Sequence, residues 1–259
     1  VVTAQKREQS LQDTPIALTA ITASTIDDLD IKNVVDMAGI SPNVMLVETP
    51  SNNTSATIAM RGGVTINPAI TWEPTVGVYL DGVYLGKTQG AIFDVVDLER
   101  VEILRGPQGT LYGRNTLGGA INLISQRPNG SGVETKLTLG NYGLTQAQFT
   151  TDFEIADGTY GKLVVNSKER DGYVHNAPGP YGGAQGVVPS ADPTVNELDT
   201  INSHGFRFTI ARDTDNSSFD LSVDYNDQSN TPPFAQLGYT IPNWSAAFGV
   251  GASPATGGL

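Results

Sequence analysis

The sequence lacks cysteine entirely and is nearly without histidine. The absence of cysteine excludes disulfide bonds, thiolate metal ligands and a cysteine nucleophile. The two histidines, His175 and His204, leave little material for a histidine-based metal site. We therefore expect no resident metal or other cofactor.

Positive charge is scarce as well. The 15 lysines and arginines are outnumbered by 27 aspartates and glutamates, which gives a formal net charge of −12. A nucleic-acid partner would need a basic face that neutralises its phosphates, so this charge balance argues against one.

Long apolar runs are missing too. No stretch approaches the ~18 consecutive apolar residues that a transmembrane helix needs. The first residues, Val1–Arg7, contain neither an apolar signal core nor a cleavage site. A processed secreted chain and a cytosolic chain both fit such a start, so it does not decide the compartment.

The residues that are present change in character near residue 130. With 29 glycines and 39% hydrophobic residues, a single large helical core is not expected in this chain. The segment Thr25–Met37 predicts a helix with Thr25 as its N-cap and Gly39 just beyond its end. Its apolar face consists of Ile26, Leu29, Val34 and Met37.

Three strand-like runs follow in the first half: Ala56–Arg61, Thr75–Leu80 and Arg100–Leu104. Asp81-Gly82 comes directly after the second run and predicts a hairpin with Val83–Leu85 as its returning strand. The reason is that Asp-Gly tolerates the positive φ angles of a primed turn.

After about residue 132, long segments alternate between apolar and polar residues. They begin near Val133 and Ala147 and continue over Thr159–Arg170, Ile201–Arg212 and Ser217–Asn226. Strands of about 9–12 residues with one apolar and one polar face are typical of a membrane barrel with a wet lumen. A soluble antiparallel sheet with one solvated face would give the same pattern.

The connections between these segments differ in length. The turns at Asp157-Gly158 and Asp213–Asn216 are short, whereas Asp171–Glu197 is long and rich in glycine and proline, and another long connection begins after Asp227. Transmembrane barrels have short periplasmic turns and longer extracellular loops. If the first strand runs outward, both short turns fall on the periplasmic side and both long connections outside.

The segment Phe93–Pro128 carries the most specific motif, FDVVDLERVEILRGPQGTLYGRNTLGGAINLISQRP. It resembles the end of the plug domain of TonB-dependent receptors, which has the form ER(I/V)E(V/I)LRGP…LYG…GG(A/V)INI. The matching residues, in order, are Glu99, Arg100, Val101, Glu102, Leu104, Arg105, Gly106, Pro107, Leu111, Tyr112, Gly113, Gly118, Gly119, Ala120, Ile121 and Asn122.

Two earlier segments resemble the same family in the family's order. Ile58–Gly63 is similar to its I-x-x-R-G segment, and Val76–Val83 is similar to its V-x-V-Y-x-D-G-V strand and turn. A phosphate-binding loop is the rival interpretation of the glycines from Gly106 to Gly119. That stretch contains neither Gly-Lys-Ser/Thr nor G-x-G-x-x-G, so we do not expect nucleotide binding.

The resemblance implies a mixed α/β plug domain inside a transmembrane antiparallel β-barrel of 22 strands, of which about the first five are present. It implies TonB-dependent active transport of a scarce substrate, such as a ferric siderophore, across the outer membrane of a Gram-negative bacterium, and no enzyme activity. The implied partners are TonB with its inner-membrane ExbB/ExbD motor, outer-membrane lipid and a small-molecule substrate.

The expected domains are a TonB-box-like segment at 1–5, the plug at 6–130 and an incomplete N-terminal part of the barrel at 131–259. Five strands cannot enclose a plug of this size, because barrel diameter grows with strand number. An open sheet in lipid would also leave unpaired edges. We therefore expect most of the barrel to lie beyond Leu259.

The N-terminal residues Val1, Val2, Thr3 and Ala4 resemble the trailing half of the TonB box, the extended peptide that TonB recognises. Their β-branched side chains favour the extended conformation to which a partner adds a strand. The alternative is a frayed terminus without function.

The resemblance also suggests that Arg61, Glu102 and Arg105 form plug–barrel salt bridges, with the arginines paired to carboxylates of the barrel wall. A buried arginine without a partner would be costly, which makes pairing physically reasonable. A salt bridge within the plug is the alternative. Asp81 is expected to form a turn and not to contact a ligand.

Substrate contacts are expected from two outward plug loops, Val64–Trp72 and Tyr84–Gln89. The candidate substrate-binding residues are Trp72, Tyr84 and Gln89, because large amphipathic side chains of the Trp and Tyr kind line binding sites. A purely structural role is the alternative for each. His175 lies in the first long loop and is expected to be a surface residue.

Two other classes of function stay open on the residues alone. A soluble or surface β-rich binding or adhesion protein would explain the acidity, the glycines and the alternation, but not the ordered plug motifs. A hydrolase would need a nucleophile–base grouping, which cannot be assembled from the scattered carboxylates. The substrate is not predicted: ferric siderophores, cobalamin, oligosaccharides and small aromatic compounds all fit.

Overall fold

The computed structural model of the chain describes most of both halves. The described residues are 2–3, 7, 9–10, 12, 14–29, 31, 33–49, 52–65, 72–86, 97–175, 197–214 and 216–231. Among them, no helix combines the length and the apolar character needed to cross a membrane.

The N-terminal unit, residues 2–125 as described, is a mixed α/β structure. Its elements in chain order are β1 (Ala17–Thr22), α1 (Ala23–Asp28), a 3-10 helix (Val34–Met37), β2 (Val44–Thr49), β3 (Asn52–Met60), β4 (Gly63–Val64), β5 (Val76–Leu80), β6 (Val83–Leu85), β7 (Leu98–Arg105), α2 (Gly109–Tyr112) and β8 (Gly119–Ser125). The central sheet has the strand order β1-β7-β8-β5-β6, and a second sheet has the order β2-β3-β4. In the central sheet only β5 and β8 are parallel.

One apolar core joins the two sheets, α1 and the 3-10 helix of this unit. Burying a large aliphatic side chain stabilises a fold by roughly 1.5–3 kcal/mol, so these residues account for much of the unit's stability. The side chains with almost no exposed surface include Val34, Met37, Leu46, Met60, Val101, Ile103, Ile121 and Leu123.

The helix expected over Thr25–Met37 is wrong in its bounds. The chain forms α1, capped by Thr22 in place of Thr25, and then a separate 3-10 helix. The break has a local cause: the Asn33 side chain accepts hydrogen bonds from two backbone N–H groups and starts a new capping box. Leu29, expected on the apolar face, is 56% exposed.

The hairpin expected at Asp81-Gly82 is confirmed. Both residues have positive φ, 49° and 82°, and β5 pairs with β6 across them. Positive φ at both central residues is the geometry of a type I′ turn, which Asp-Gly favours.

The C-terminal half forms a five-stranded antiparallel sheet, here called the meander. Its strands are β9 (Ser131–Leu139), β10 (Thr145–Ala156), β11 (Thr159–Arg170), β14 (Ile201–Thr214) and β15 (Ser217–Gln228), and the two-residue strands β12 (Val174–His175) and β13 (Glu197–Leu198) pair with each other between β11 and β14. The order β15-β14-β11-β10-β9 follows the chain. The five alternating segments of the sequence are thus confirmed as five strands.

The two faces of the meander differ in chemistry. The face turned towards the N-terminal unit buries polar side chains such as Lys162, Ser203 and Thr209. The opposite face is apolar and open. Its exposed side chains include Val133, Leu137, Phe149, Phe153, Val165, Phe206, Phe219, Leu221, Val223 and Tyr225.

Candidate functional site: the N-terminal segment and the boundary with the meander

The N-terminal segment lies against β7 of the central sheet. Val2 pairs with Gln9 as an isolated antiparallel bridge and is only 2% exposed. The backbone N–H of Thr3 donates to Glu102 Oε1 at 2.7 Å, and Arg100 donates to Thr3 Oγ1 at 3.0 Å. Of the four residues predicted for partner recognition, Val2 and Thr3 are therefore held by the N-terminal unit, whereas Val1 and Ala4 lie outside the described residues.

Glu102 is fully buried, and the residue that forms an ion pair with it, Arg100, belongs to the same strand, β7. Arg100 Nε lies 2.9 Å from Glu102 Oε1, and the Arg100 side chain is 12% exposed. Glu102 Oε2 has no hydrogen-bond partner among the described residues. The described contacts of Glu102 are thus internal to the N-terminal unit, and its pairing with the barrel stays a prediction.

Arg61 and Arg105 lie close together in the fold without a carboxylate partner in the described part of the chain. Arg61 extends over Gly106, so a Cβ added at Gly106 would lie 2.9 Å from the Arg61 guanidinium. Arg105 reaches only the carbonyl oxygen of Pro42, at 3.4 Å, and its Nε is buried without a partner. Beside them is an open groove of about 340 Å³, lined by Asn43, Val44, Met45, Ala59, Arg61 and Gly62.

The ion pairs that do join the N-terminal unit to the meander involve residues that the sequence does not single out for this role. Asp81, in the β5–β6 turn, pairs with Arg207 of β14. The same carboxylate accepts hydrogen bonds from the backbone and side chain of Ser125, at 2.9 and 2.8 Å. Asp81 is therefore the expected turn former and, in addition, a contact with the meander.

Three more ionic contacts join the N-terminal unit, or the connection that follows it, to the meander. Arg127, which follows β8, binds Asp213 and Asp220 at 2.6 and 2.7 Å near the β14–β15 turn. Lys136 of β9 lies 3.3 Å from Asp27, with both side chains largely exposed.

The third contact is buried. Lys162 of β11 lies 3.2 Å from Asp97 and 3.5 Å from Asp152, with all three side chains at most 9% exposed. Burial raises the pKa of Asp97 to about 6, although Lys162 opposes the shift. The sequence gives no signal for this contact, because Asp97 and Lys162 are 65 positions apart.

Two of the three candidate substrate-binding residues are described: Trp72, four residues before β5, and Tyr84, in β6. Trp72 is 59% exposed. The Tyr84 hydroxyl accepts a hydrogen bond from Asn115 at 2.9 Å, and Asn115 also binds Glu73. Asn115, which the sequence did not indicate, therefore links Tyr84 of the second predicted loop to Glu73, the residue that follows the first predicted loop. Gln89 lies outside the described residues.

Tyr84 also belongs to a small aromatic group on the central sheet. Its ring centroid is 5.4 Å from that of Tyr79, which in turn is 5.0 Å from Tyr112. The Tyr79 hydroxyl donates to the Tyr112 carbonyl oxygen at 2.6 Å. Burial raises the pKa of Tyr112 to about 12, so the Tyr112 hydroxyl stays neutral at ordinary pH.

Comparisons with known proteins agree with these features. Residues 10–120 match the TonB-dependent Receptor Plug Domain. The chain is 29% identical over 178 residues to the vitamin B12 transporter BtuB of Vibrio vulnificus, covering 67% of this chain and 28% of that protein. It is 30% identical over 172 residues to the catecholate siderophore receptor Fiu of Escherichia coli K12, covering 64% and 21%.

A solved structure gives the same fold. The ferric yersiniabactin uptake receptor FyuA from Yersinia pestis superposes with a TM-score of 0.68 at 22% identity, covering 84% of this chain and 32% of that one. The chain thus spans about a quarter of the length of these curated relatives. Its N-terminal unit and meander correspond to a plug domain and a part of the barrel wall.

The family consists of transport proteins of the Gram-negative outer membrane and not of enzymes. With the plug motifs in family order, a matching plug model and a shared fold, the chain belongs to the TonB-dependent outer-membrane receptors.

Proposed function

We propose that the full-length protein carries out TonB-dependent active transport of a scarce substrate, a ferric siderophore or another large nutrient, across the outer membrane. In this proposal the meander is the start of a closed barrel of 22 strands, and the plug blocks its lumen. The observation that carries it is the two-faced meander. Its polar face binds the plug through Lys162 and Arg207, while its other face presents apolar side chains to the surroundings.

The proposed domains are a TonB-box-like segment at 1–5, the plug at 6–130 and the first part of the barrel at 131–259. The change from mixed α/β structure to antiparallel strands supports a boundary between Ser125 and Ser131, the end of β8 and the start of β9. Arg127, within this connection, binds carboxylates of the meander and fixes its path.

Residues Val1–Ala4 are proposed to be the segment that TonB binds, with energy supplied by its ExbB/ExbD motor. Strand addition needs free backbone N–H and C=O groups. The Val2 backbone is paired with Gln9 and the Thr3 N–H is occupied by Glu102. TonB could therefore add a strand to this segment only when these contacts are broken.

Arg61 and Arg105 are proposed to pair with carboxylates of the remaining barrel wall, with Glu102 as the acidic member of the same motif. The support is the lack of a carboxylate beside either arginine in the described residues, together with the open groove at Arg61. A guanidinium at a protein boundary is stabilised when a carboxylate binds it in a planar, bidentate manner.

The proposed substrate contacts are Trp72, Tyr84 and Gln89. The exposed ring of Trp72 and the ordered Tyr84–Asn115–Glu73 group support the first two. The relatives, which include a vitamin B12 transporter, a catecholate siderophore receptor and a ferric yersiniabactin uptake receptor, point to large scarce nutrients. They do not select one substrate for this chain.

The test is uptake by the full-length receptor in a host that lacks its own receptors, with labelled ferric siderophores, cobalamin, oligosaccharides and aromatic compounds. We expect uptake of one class, lost when TonB is deleted while binding to the cell surface persists. Pro substitutions at Val2 and Thr3 should abolish uptake in the same way. Uptake that is equal with and without TonB would contradict the proposal.

A further inference from the structure

A buried group of three charges lies at the boundary between plug and wall. Lys162 Nζ lies 3.2 Å from both oxygens of Asp97 and 3.5 Å from Asp152 Oδ2. The Lys162 side chain is 4% exposed, and each aspartate side chain is 9% exposed. Asp97 belongs to the plug, just before β7, whereas Asp152 and Lys162 are paired neighbours on β10 and β11 of the wall.

The charges in this group do not balance. Two ionised carboxylates and one ammonium leave one negative charge in surroundings with little water. The next cation, Arg207, is already bound by Asp81 and Asp224. Asp152 Oδ1 is buried and has no hydrogen-bond partner in the described part of the chain. A buried, unpaired carboxylate oxygen is costly, so the group gains stability by taking up a proton.

The electrostatics of Asp97 agree with this argument from geometry. Burial is the largest cause that raises its pKa, to about 6, and the nearby charge of Asp152 adds to the shift. When two carboxylates share one site, the proton belongs to the pair, because ionisation of one carboxylate makes ionisation of the other less favourable.

We propose that Asp97 and Asp152 together bind one proton at the plug–wall boundary, while Lys162 neutralises the carboxylate that stays ionised. The proton forms an O–H bond with one carboxylate oxygen, and the group is then electrically neutral. This site goes beyond transport, and its existence does not depend on which substrate is carried.

The direction of the pH dependence follows from the folded pKa. Asp97 has a pKa of about 6 in the seated plug, above its ordinary 3.8, so the seated plug binds the proton more tightly than a released or unfolded plug. The stabilisation of the seated plug by this proton is complete below about pH 4 and is lost as the pH rises through about 6. The charged groups around it are Lys162 of β11, Asp152 of β10, Arg207 of β14, Asp224 of β15 and Asp81 of the β5–β6 turn.

The experiment is an infrared titration of the full-length receptor, with the absorption of protonated carboxyl groups followed from pH 4.5 to 8. In difference spectra against Asp152→Asn, we expect the wild type to show one additional protonated carboxyl group that disappears near pH 6. Asp152→Asn is the decisive variant because it keeps Asp97 but balances the remaining charges, so Asp97 should ionise. The control Asp27→Asn removes an exposed plug–wall ion pair and should titrate like the wild type.

Two outcomes overturn the proposal. One is an Asp152→Asn receptor whose titration is the same as that of the wild type. The other is a protonated group that is lost in Asp97→Asn but kept in Asp152→Asn, which would mean that Asp97 alone holds the proton. Lys162→Met should shift the loss of the proton to higher pH, since it removes the compensating cation. None of these readouts requires transport, so they succeed or fail separately from the uptake test.

Discussion

Glu102 joins two distant parts of the chain through a single buried oxygen. Its Oε1 accepts hydrogen bonds from Thr3 and from Arg100, which also donates to Thr3. A buried ion pair that loses one member leaves the other charge uncompensated, at a cost of about 3–5 kcal/mol. At the scale of single residues, Glu102 therefore determines how firmly the N-terminal segment is held.

Glu102→Gln should release this segment. The substitution keeps the size of the side chain but removes the charge that compensates Arg100, so we expect trypsin to cut after Arg7 at least ~10-fold faster in the full-length receptor. The matched control is Glu99→Gln, because Glu99 also binds Arg100 but is 53% exposed. An equal rate of cleavage in both variants would show that Glu102 does not retain the segment.

Gly119 tests the close packing of the plug core. A Cβ at this position would overlap Met60 Sδ and the Leu104 carbonyl oxygen, and the φ of 153° adds strain for any other residue. We expect Gly119→Ala to lower the free energy of unfolding of the plug in the full-length receptor by about 3 kcal/mol, measured by denaturant titration. Gly109→Ala meets no atom within 4 Å and should be neutral or slightly stabilising. Equal stability of both variants would refute this packing.

At the scale of secondary structure, the strands of the meander follow directly from the sequence. The alternation of apolar and polar residues repeats over whole strands, and Thr159–Arg170 is both the predicted segment and β11. Short plug strands such as β1 and β2 were not predicted, because six residues packed between other elements show no clear period. The expected helix was wrong in its bounds because the Asn33 cap competes with continuation of the helix.

The candidate site shows the same difference: the sequence predicts its local features but not its contacts between distant residues. The plug motifs and the Asp81-Gly82 pair were sufficient to predict the plug and its turn, since each of these signals lies within a short stretch of sequence. The contacts of Asp81 with Arg207 and of Asp97 with Lys162 join residues 126 and 65 positions apart. Nothing in a local pattern specifies which strand of the wall faces which turn of the plug, so such pairs require the tertiary structure.

The outward face of β15 gives a prediction at this scale. Val223 lies near the middle of the strand and is 51% exposed, so in a barrel it would contact lipid. We expect Val223→Lys to destabilise the folded full-length receptor in bilayers by roughly 2–4 kcal/mol, measured by refolding titration into lipid vesicles. Asn226→Lys, on the inward face, should cost less than about 1 kcal/mol. A similar cost for both would contradict the assignment of one lipid-facing and one inward face.

At the scale of the whole molecule, ion pairs join the plug to the wall, and no apolar core cluster of the described residues extends across their boundary. The apolar cores of the described residues consist of N-terminal residues only. Ion pairs of Arg127, Lys136, Lys162 and Arg207 cross the boundary with the meander. A boundary of this kind keeps the two parts separable while it fixes their relative position, which is what the proposed transport requires.

The most direct test of this arrangement is cross-linking between plug and wall in intact cells, which the absence of native cysteine in the chain simplifies. Cysteines replace Asp81 and Arg207 in the full-length receptor, and a short bifunctional thiol reagent is followed by peptide mass spectrometry. The control pair places the second cysteine at Phe206, the adjacent residue on the outward face of the same strand. We predict a cross-link for the 81–207 pair and none for 81–206; no cross-link in either pair, or equal yields in both, would contradict a plug seated inside the wall.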